Sequence, residues 1–184
     1  MKFIVVVLAI GFLLAVAPVA SHATLASNSS SQVRSLTSEL PPNPPPQVRS
    51  LTSAVDSAIA RFNAGDASGF SAHFAPGAII IDEHAPFAWS GKGAAERWIR
   101  DVDAYNSLGR IVNFHLTPEE PVAIYTDKPS GKGYVLALIK ESYDVPGRHV
   151  SRYVDLTASL VHSGGTWQIT NANWAEDVGL LKTR

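Results

Sequence analysis

The 184-residue chain contains no cysteine. That excludes disulfides, thiolate zinc sites and a thiol nucleophile. Charge of either sign is sparse and nearly balanced, with 15 Lys and Arg against 16 Asp and Glu. No basic face of the kind that binds nucleic acid is expected. Catalytic signatures are scarce too. No Gly-x-Ser-x-Gly nucleophile turn is present. Gly91-Lys92-Gly93 lacks the spacing of a phosphate loop and reads as a helix entry with Lys92 exposed. His73, His84 and His115 match no metal-ligand spacing, so neither a metal nor a cofactor is expected.

What is present begins with an apolar run from Phe3 to Ala17 behind the single basic residue Lys2. Pro18 and the small-x-small triplet Ser21-His22-Ala23 follow, which is the pattern of a signal peptide over residues 1–23. The run is short for a membrane span, and no basic stop-transfer cluster follows it. Export to a periplasm or the medium is expected, the alternative being an uncleaved N-terminal anchor. No other membrane association is expected.

Residues 24–46 are rich in Ser, Asn and Pro and close on Pro44-Pro45-Pro46. Such a segment buries too little apolar surface to offset its ordering entropy, and reads as a disordered linker. The heptapeptide QVRSLTS occurs at 32–38 and again at 47–53. The second copy leads into an apolar stripe at helical spacing, Val48, Leu51, Val55, Ala58, Ile59 and Phe62. The first copy runs into Pro41, which cannot continue a helix. Two copies are too few for a repeat architecture.

The folded part, residues 47–184, reads as α+β. A first helix is predicted over about 46–64, with Gly65 as its stop and Asp66 capping a short second helix that reaches Pro76-Gly77. A strand follows over Ala78–Asp82, then a third helix capped by Ser90, with Ala94, Ala95, Trp98, Val102 and Tyr105 on its apolar face. Strands are predicted over Arg110–Thr117, Val122–Thr126, Tyr134–Tyr143, His149–His162 and Trp167–Trp174. Helices first and consecutive strands later suggest helices packed on one face of a curved, mostly antiparallel sheet. The concave side of such a sheet is where a small ligand binds.

The stretch Ala60-Arg61-Phe62-Asn63-Ala64-Gly65-Asp66, with Phe70, Phe74 and the strand ending at Asp82, resembles the opening of the nuclear-transport-factor-2-like superfamily. The pattern Asp82, Glu83, Pro86, Trp89, Gly91, Ala94, Trp98 is similar to its SnoaL-like and ketosteroid-isomerase-like branch, as is the closing Gly165-Thr166-Trp167-Gln168-Ile169 with Trp174-Ala175. The likeness covers roughly residues 47–177. It implies a cone-shaped half-barrel of cystatin-like type, with a pocket at the wide end and a homodimer formed through the sheet. Function does not follow from this fold alone, which hosts several chemistries and proteins with none.

The resemblance puts the isomerase base on Asp82. The tyrosine of the first helix falls on Ala58, and the second acid falls on Thr157, with Asp155 two residues earlier on the same face. The oxyanion-binding pair is thus not reproduced. Among the tryptophans Asp82 is expected to be desolvated, with a raised pKa suited to taking a proton. The bland alternative is a carboxylate that caps backbone amides of its own turn. His84 is either a proton relay or a solvated turn residue.

On the penultimate strand, Val154, Leu156, Ala158 and Leu160 share one face, and Tyr153, Asp155, Thr157 and Ser159 the other. The isomerase-like register turns the polar set into the cavity, with Ala172, Trp174 and Glu176 of the last strand. Trp89, Trp98 and Tyr105 complete the candidate ligand contacts, although aromatics at helical spacing also build plain core. Glu119-Glu120 and Lys140-Glu141 read as solvated charges.

Three function classes follow. The first is an exported domain binding a small apolar or mixed-polarity molecule, with cofactor-independent isomerase, lyase or hydrolase chemistry at Asp82, His84 and Asp155. The second is a non-catalytic module whose cavity is filled or merely holds a ligand, and whose sheet mediates dimerisation. A structural protein held off the membrane by the linker is a third.

Overall fold

The computed structural model describes residues 45–176; the side chains of residues 120–122 are not described. The predicted signal peptide, nearly all of the predicted linker, the first heptapeptide copy and the last eight residues lie outside the described part.

Helix α1 spans Pro46–Asn63 and opens with proline at its first position, where a missing N–H costs nothing. Its predicted stripe is its buried face: Leu51, Val55, Ala58 and Ile59. Gly65, at φ 68°, turns the chain out of the helix. Helix α2, Ala67–Ser71, is capped as predicted, with Asp66 Oδ1 accepting from the Gly69 amide at 2.8 Å. It stops earlier than expected. Strand β1 already starts at Phe74 and runs to Ile81. Phe74 to Gly77 are extended because Phe74 is in register with Ile169 of the last strand, and an irregularity between Phe74 and Ile79 absorbs the Pro-Gly pair.

A strand that the sequence reading missed, β2 (Ala88–Ser90), pairs antiparallel with the end of β1. Ser90 therefore ends a strand instead of capping a helix. Helix α3, Ala94–Leu108, starts after Gly93 at φ 71°. It buries Ala94, Ala95, Trp98 and Val102.

The two predicted strands between 110 and 126 are one, β3 (Val112–Asp127), with register shifts around Pro118 and Pro121. Bulges on an edge strand accommodate prolines that a central strand would reject. Strands β4 (Lys132–Val145), β5 (Arg148–Ser163) and β6 (Thr166–Glu176) follow in a meander. The sheet order is β2-β1-β6-β5-β4-β3. Among the described residues only the β1–β6 pair is parallel.

The helices cover one face. Helix α1 lies against β3 and β6, and α3 against β1. Beneath them the inward residues of alternating strands form the core, among them Ile80, Val135, Ile139, Leu156, Leu160 and Ile169. Asn63 ties the end of α1 to the sheet edge. Its Nδ2 donates to the Leu116 carbonyl at 2.7 Å, and its Oδ1 accepts from the Leu116 amide at 2.9 Å. Among the described residues no helix is long and apolar enough to cross a membrane.

Candidate functional site

Strand β1 alternates, with Ala78 and Ile80 buried and Ile79 and Ile81 about 41% exposed. Asp82 continues the inward set and is 7% exposed. The strand ends at Ile81, so His84 does not reach the same side by alternation, as a continued strand would require. The chain turns instead: Phe87 N–H donates to the His84 carbonyl at 2.7 Å, and Asp82 N–H to the Phe87 carbonyl at 3.2 Å. That closed turn folds the imidazole back over the carboxylate.

Both carboxylate oxygens of Asp82 are occupied. Oδ1 lies 2.6 Å from His84 Nδ1 and accepts from the His84 amide at 3.1 Å. Oδ2 accepts from Trp98 Nε1 at 2.7 Å. Burial pushes the Asp82 carboxyl up, as the sequence suggested, but hydrogen bonds from His84 and Trp98 outweigh it and hold the group below the ordinary aspartate value. The bond to Asp82 in turn holds the His84 imidazole above its ordinary value, against its partial burial. An ionised carboxylate only accepts, so Nδ1 carries a proton in either charge state of the ring. Nε2 is the exchanging atom.

These groups open on a hollow of about 110 Å³ between α3 and the sheet. Trp98 and Tyr105 of α3, Phe114 of β3, Tyr143 of β4 and Trp174 of β6 line it. The Trp98 ring is stacked between Phe70, at 5.4 Å, and Trp174, at 5.7 Å. The His84 ring sits 4.2 Å from that of Tyr105.

The fourth wall is charged, which the sequence reading did not see. Glu141 is 8% exposed, not solvated. Its Oε2 accepts from Arg152 Nε at 2.7 Å, while Arg152 Nη2 donates to Glu83 Oε1 at 2.6 Å. Burial pushes the Glu141 carboxyl above the ordinary glutamate value, and Arg152 opposes the rise. Burial tends to lower the Arg152 pKa, but its two carboxylate partners raise it well above the ordinary value. Alternation along β4 from Ile139 gave the only signal for Glu141: position 141 falls on the buried face.

The structure brings Asp82, His84, Trp98, Tyr105 and Trp174 together at this hollow. It places the other candidates elsewhere. Asp155 and Thr157 lie on the outer face of the sheet, opposite Leu138 and Leu136. The reason is period two: Val154, Leu156, Ala158 and Leu160 are the set buried under the helices, so their neighbours must point away. Trp89 is buried but donates to Asp101 at 2.8 Å, outside the hollow. Ala172 packs in the core beside Ala158, and Glu176 is exposed at the end of β6. No group of residues that could hold a metal ion occurs among the described residues. A second hollow, between the start of α1 and the β3–β4 turn, has Gln47, Ser50 and Trp167 in its lining and no buried carboxylate.

No protein-family model and no curated protein sequence matches the chain. Solved structures do. Aln2 from a Streptomyces species is 15% identical, with a TM-score of 0.59 over 77% of this chain and 98% of that one. A ketosteroid isomerase-like protein from Erwinia carotovora atroseptica is 13% identical, with a TM-score of 0.57 over 72% and 97%. A protein from Novosphingobium aromaticivorans described as NTF2-like with a cystatin-like fold is 12% identical, with a TM-score of 0.58 over 74% and 86%. At these identities the likeness concerns architecture, and on it the chain has the nuclear-transport-factor-2-like, or cystatin-like, fold.

Proposed function

We propose that the hollow binds a small organic molecule and that the Asp82–His84 pair moves a proton to or from it, as a cofactor-independent isomerase or lyase does. One observation carries this reading. A buried carboxylate with both oxygens occupied holds an imidazole at the wall of an aromatic hollow. Asp82 is then the positioning residue and His84 Nε2 the atom that meets the ligand. The bond to Asp82 favours the protonated imidazole, the form that can give a proton from Nε2. Size restricts the ligand: a dry protein cavity of roughly 150 Å³ holds one benzene ring. A hollow of about 110 Å³ encloses less than such a ring, so it takes one end of a molecule whose remainder leaves through the mouth. The likeness to a ketosteroid isomerase-like protein is consistent with this chemistry.

Two measurements test it. Native mass spectrometry of the purified chain is expected to show a bound small molecule that denaturation releases. Exchange of the α-hydrogens of cyclohexanone in D₂O, followed by proton NMR, is expected to run faster with the protein than in buffer. His84→Gln is expected to slow that exchange by about 100-fold, the scale of a single acid–base group. Wild-type exchange equal to buffer would remove the catalytic reading.

We also infer export, from the residues at 1–23 alone. The intact mass of protein recovered outside the producing cell's cytoplasm is expected to lack those residues; a full-length mass would favour the anchor.

A further inference from the structure

The Glu83–Arg152–Glu141 bridge has no part in the reading above, yet it forms a wall of the same hollow. Glu141 and Arg152 are directly opposed in the β4–β5 register, so both side chains stand on the concave face. Glu83 belongs to the turn after β1, three strand spacings away, or about 14 Å along the sheet. The Arg152 guanidinium bridges the two carboxylates with one bond to each. Among the described residues no hydrogen bond reaches the other oxygen of Glu141, Oε1. The charged groups that act on Glu141 are Arg152 of β5 and Glu83 and Asp82 at the end of β1, and His84 shares the lining.

Two carboxylates sharing one guanidinium have a specific consequence. When Glu141 takes up a proton, Glu83 still balances the Arg152 charge, so protonation leaves no uncompensated ion in the wall. A simple Arg–Glu pair lacks that property.

We propose that Glu141 is the general base of this hollow, acting through Oε1 while Arg152 fixes Oε2, and that His84 is the acid that completes the transfer to a carbonyl ligand. This rests on the hollow being a proton-transfer site. Glu141 takes the α-proton of the ligand, and the C–H electron pair becomes the new C=C bond. The carbonyl π pair moves to oxygen, which takes the Nε2 proton of the imidazolium. Glu141 and His84 end neutral and the ligand is an enol. In the second half the enol O–H proton goes back to His84 Nε2, the oxygen pair re-forms the C=O π bond, and the C=C pair takes the Glu141 proton at the same or a conjugated carbon, which restores both groups and consumes no co-reactant. Burial of Glu141 strengthens it as a base.

The test is cyclohexanone exchange in D₂O with the full chain, comparing wild type, Glu141→Gln and His84→Gln across pH. Glu141→Gln is expected to lower the rate by at least about 100-fold and to abolish the acid limb of the pH profile, with His84→Gln removing the alkaline limb. Wild-type acceleration that is lost in His84→Gln but kept in Glu141→Gln overturns the assignment to Glu141 and leaves the His84 reading standing. No acceleration by wild type overturns both. A second measurement needs no variant: the side-chain carboxyl carbon of Glu141 in the wild-type protein, followed by NMR, is expected to titrate above ordinary glutamates. A midpoint at or below theirs overturns the proposal.

Discussion

Trp98 Nε1 donates to Asp82 Oδ2 at 2.7 Å, a bond that joins α3 to the end of β1 inside the core. It leaves Asp82 ionised, and it fixes the direction in which the carboxylate presents Oδ1 to His84.

Trp98→Phe keeps most of the ring and removes the donor. The buried oxygen it leaves behind has no other partner among the described residues, and an unsatisfied buried acceptor costs about 1–3 kcal/mol, more when charged. The variant is expected to lose at least that much stability in urea denaturation. Its Asp82 carboxyl is expected to titrate higher than in wild type, because one of the bonds that lower its pKa is gone. Unchanged stability would show that the bond is not kept in solution.

The Asp82–His84 pair makes stability depend on pH with a definite sign. The folded His84 pKa lies above 6.5, its unfolded value. Its contribution is complete below that value and is lost as pH rises through the folded pKa. The folded Asp82 pKa lies below 3.8, so its contribution is present above that value and is lost as pH falls through the folded one. His73 is shifted down by burial and by Arg61 and acts in the opposite sense to His84, so the comparison must be with a variant. The stability difference between wild type and His84→Gln, from urea midpoints, is expected to be largest below pH about 6 and to shrink toward alkaline pH. A difference that grows with pH would contradict the ion pair.

Much of this arrangement was legible in residue order. The stripe of α1, the Asp66 cap, the apolar face of α3 and the meander were readable because each follows a local rule of period or capping. Asp82 at the end of β1 was readable by alternation from Ala78 and Ile80. The charged wall was not. Glu141, Arg152 and Glu83 stand 11 and 69 positions apart along the bonds that join them, and no local pattern encodes a fork across that distance. The pKa direction of Asp82 was misread because burial follows from local pattern, whereas the donors that outweigh it come from the turn that folds His84 back and from Trp98 of α3, sixteen residues away. The face of β5 was misjudged because both of its sets alternate cleanly, and only the helices above the sheet decide which is covered.

Asn63 offers a test of how α1 is fastened. Its amide satisfies both backbone groups of Leu116 where β3, an edge strand, has no neighbour on that side. Asn63→Ala leaves a donor and an acceptor without their partner. It is expected to cost about 1–3 kcal/mol in denaturation. Asn63→Asp keeps the acceptor but loses the donor, and is expected to fall between the two. Amide hydrogen exchange at Leu116 is expected to rise in the alanine variant; equal protection there would mean that the clasp is not formed.

The outer face of the sheet carries the remaining prediction. Tyr125, Ile79 and Ile81 are exposed on it, at 53%, 41% and 41%. Tyr125 is in register with Tyr134, and Leu136 and Leu138 stand opposite Thr157 and Asp155. Ile79 and Ile81 flank Asn171 and Asn173 on the far side. Apolar side chains on β1, β3 and β4 flank small polar ones on the central strands β5 and β6, and such a mixed apolar and polar surface is of the kind that subunit interfaces bury. A homodimer through this face is our reading of it, and it gives Asp155 and Thr157 a place at a subunit contact. Sedimentation equilibrium is expected to give twice the monomer mass. Leu136→Lys, which puts a charge among the apolar side chains of this face, is expected to give the monomer. Because Leu136 points away from the hollow, the variant is expected to keep the small-molecule binding and proton exchange of wild type. A wild-type monomer at high micromolar concentration, or a Leu136→Lys dimer, would assign the face to solvent instead.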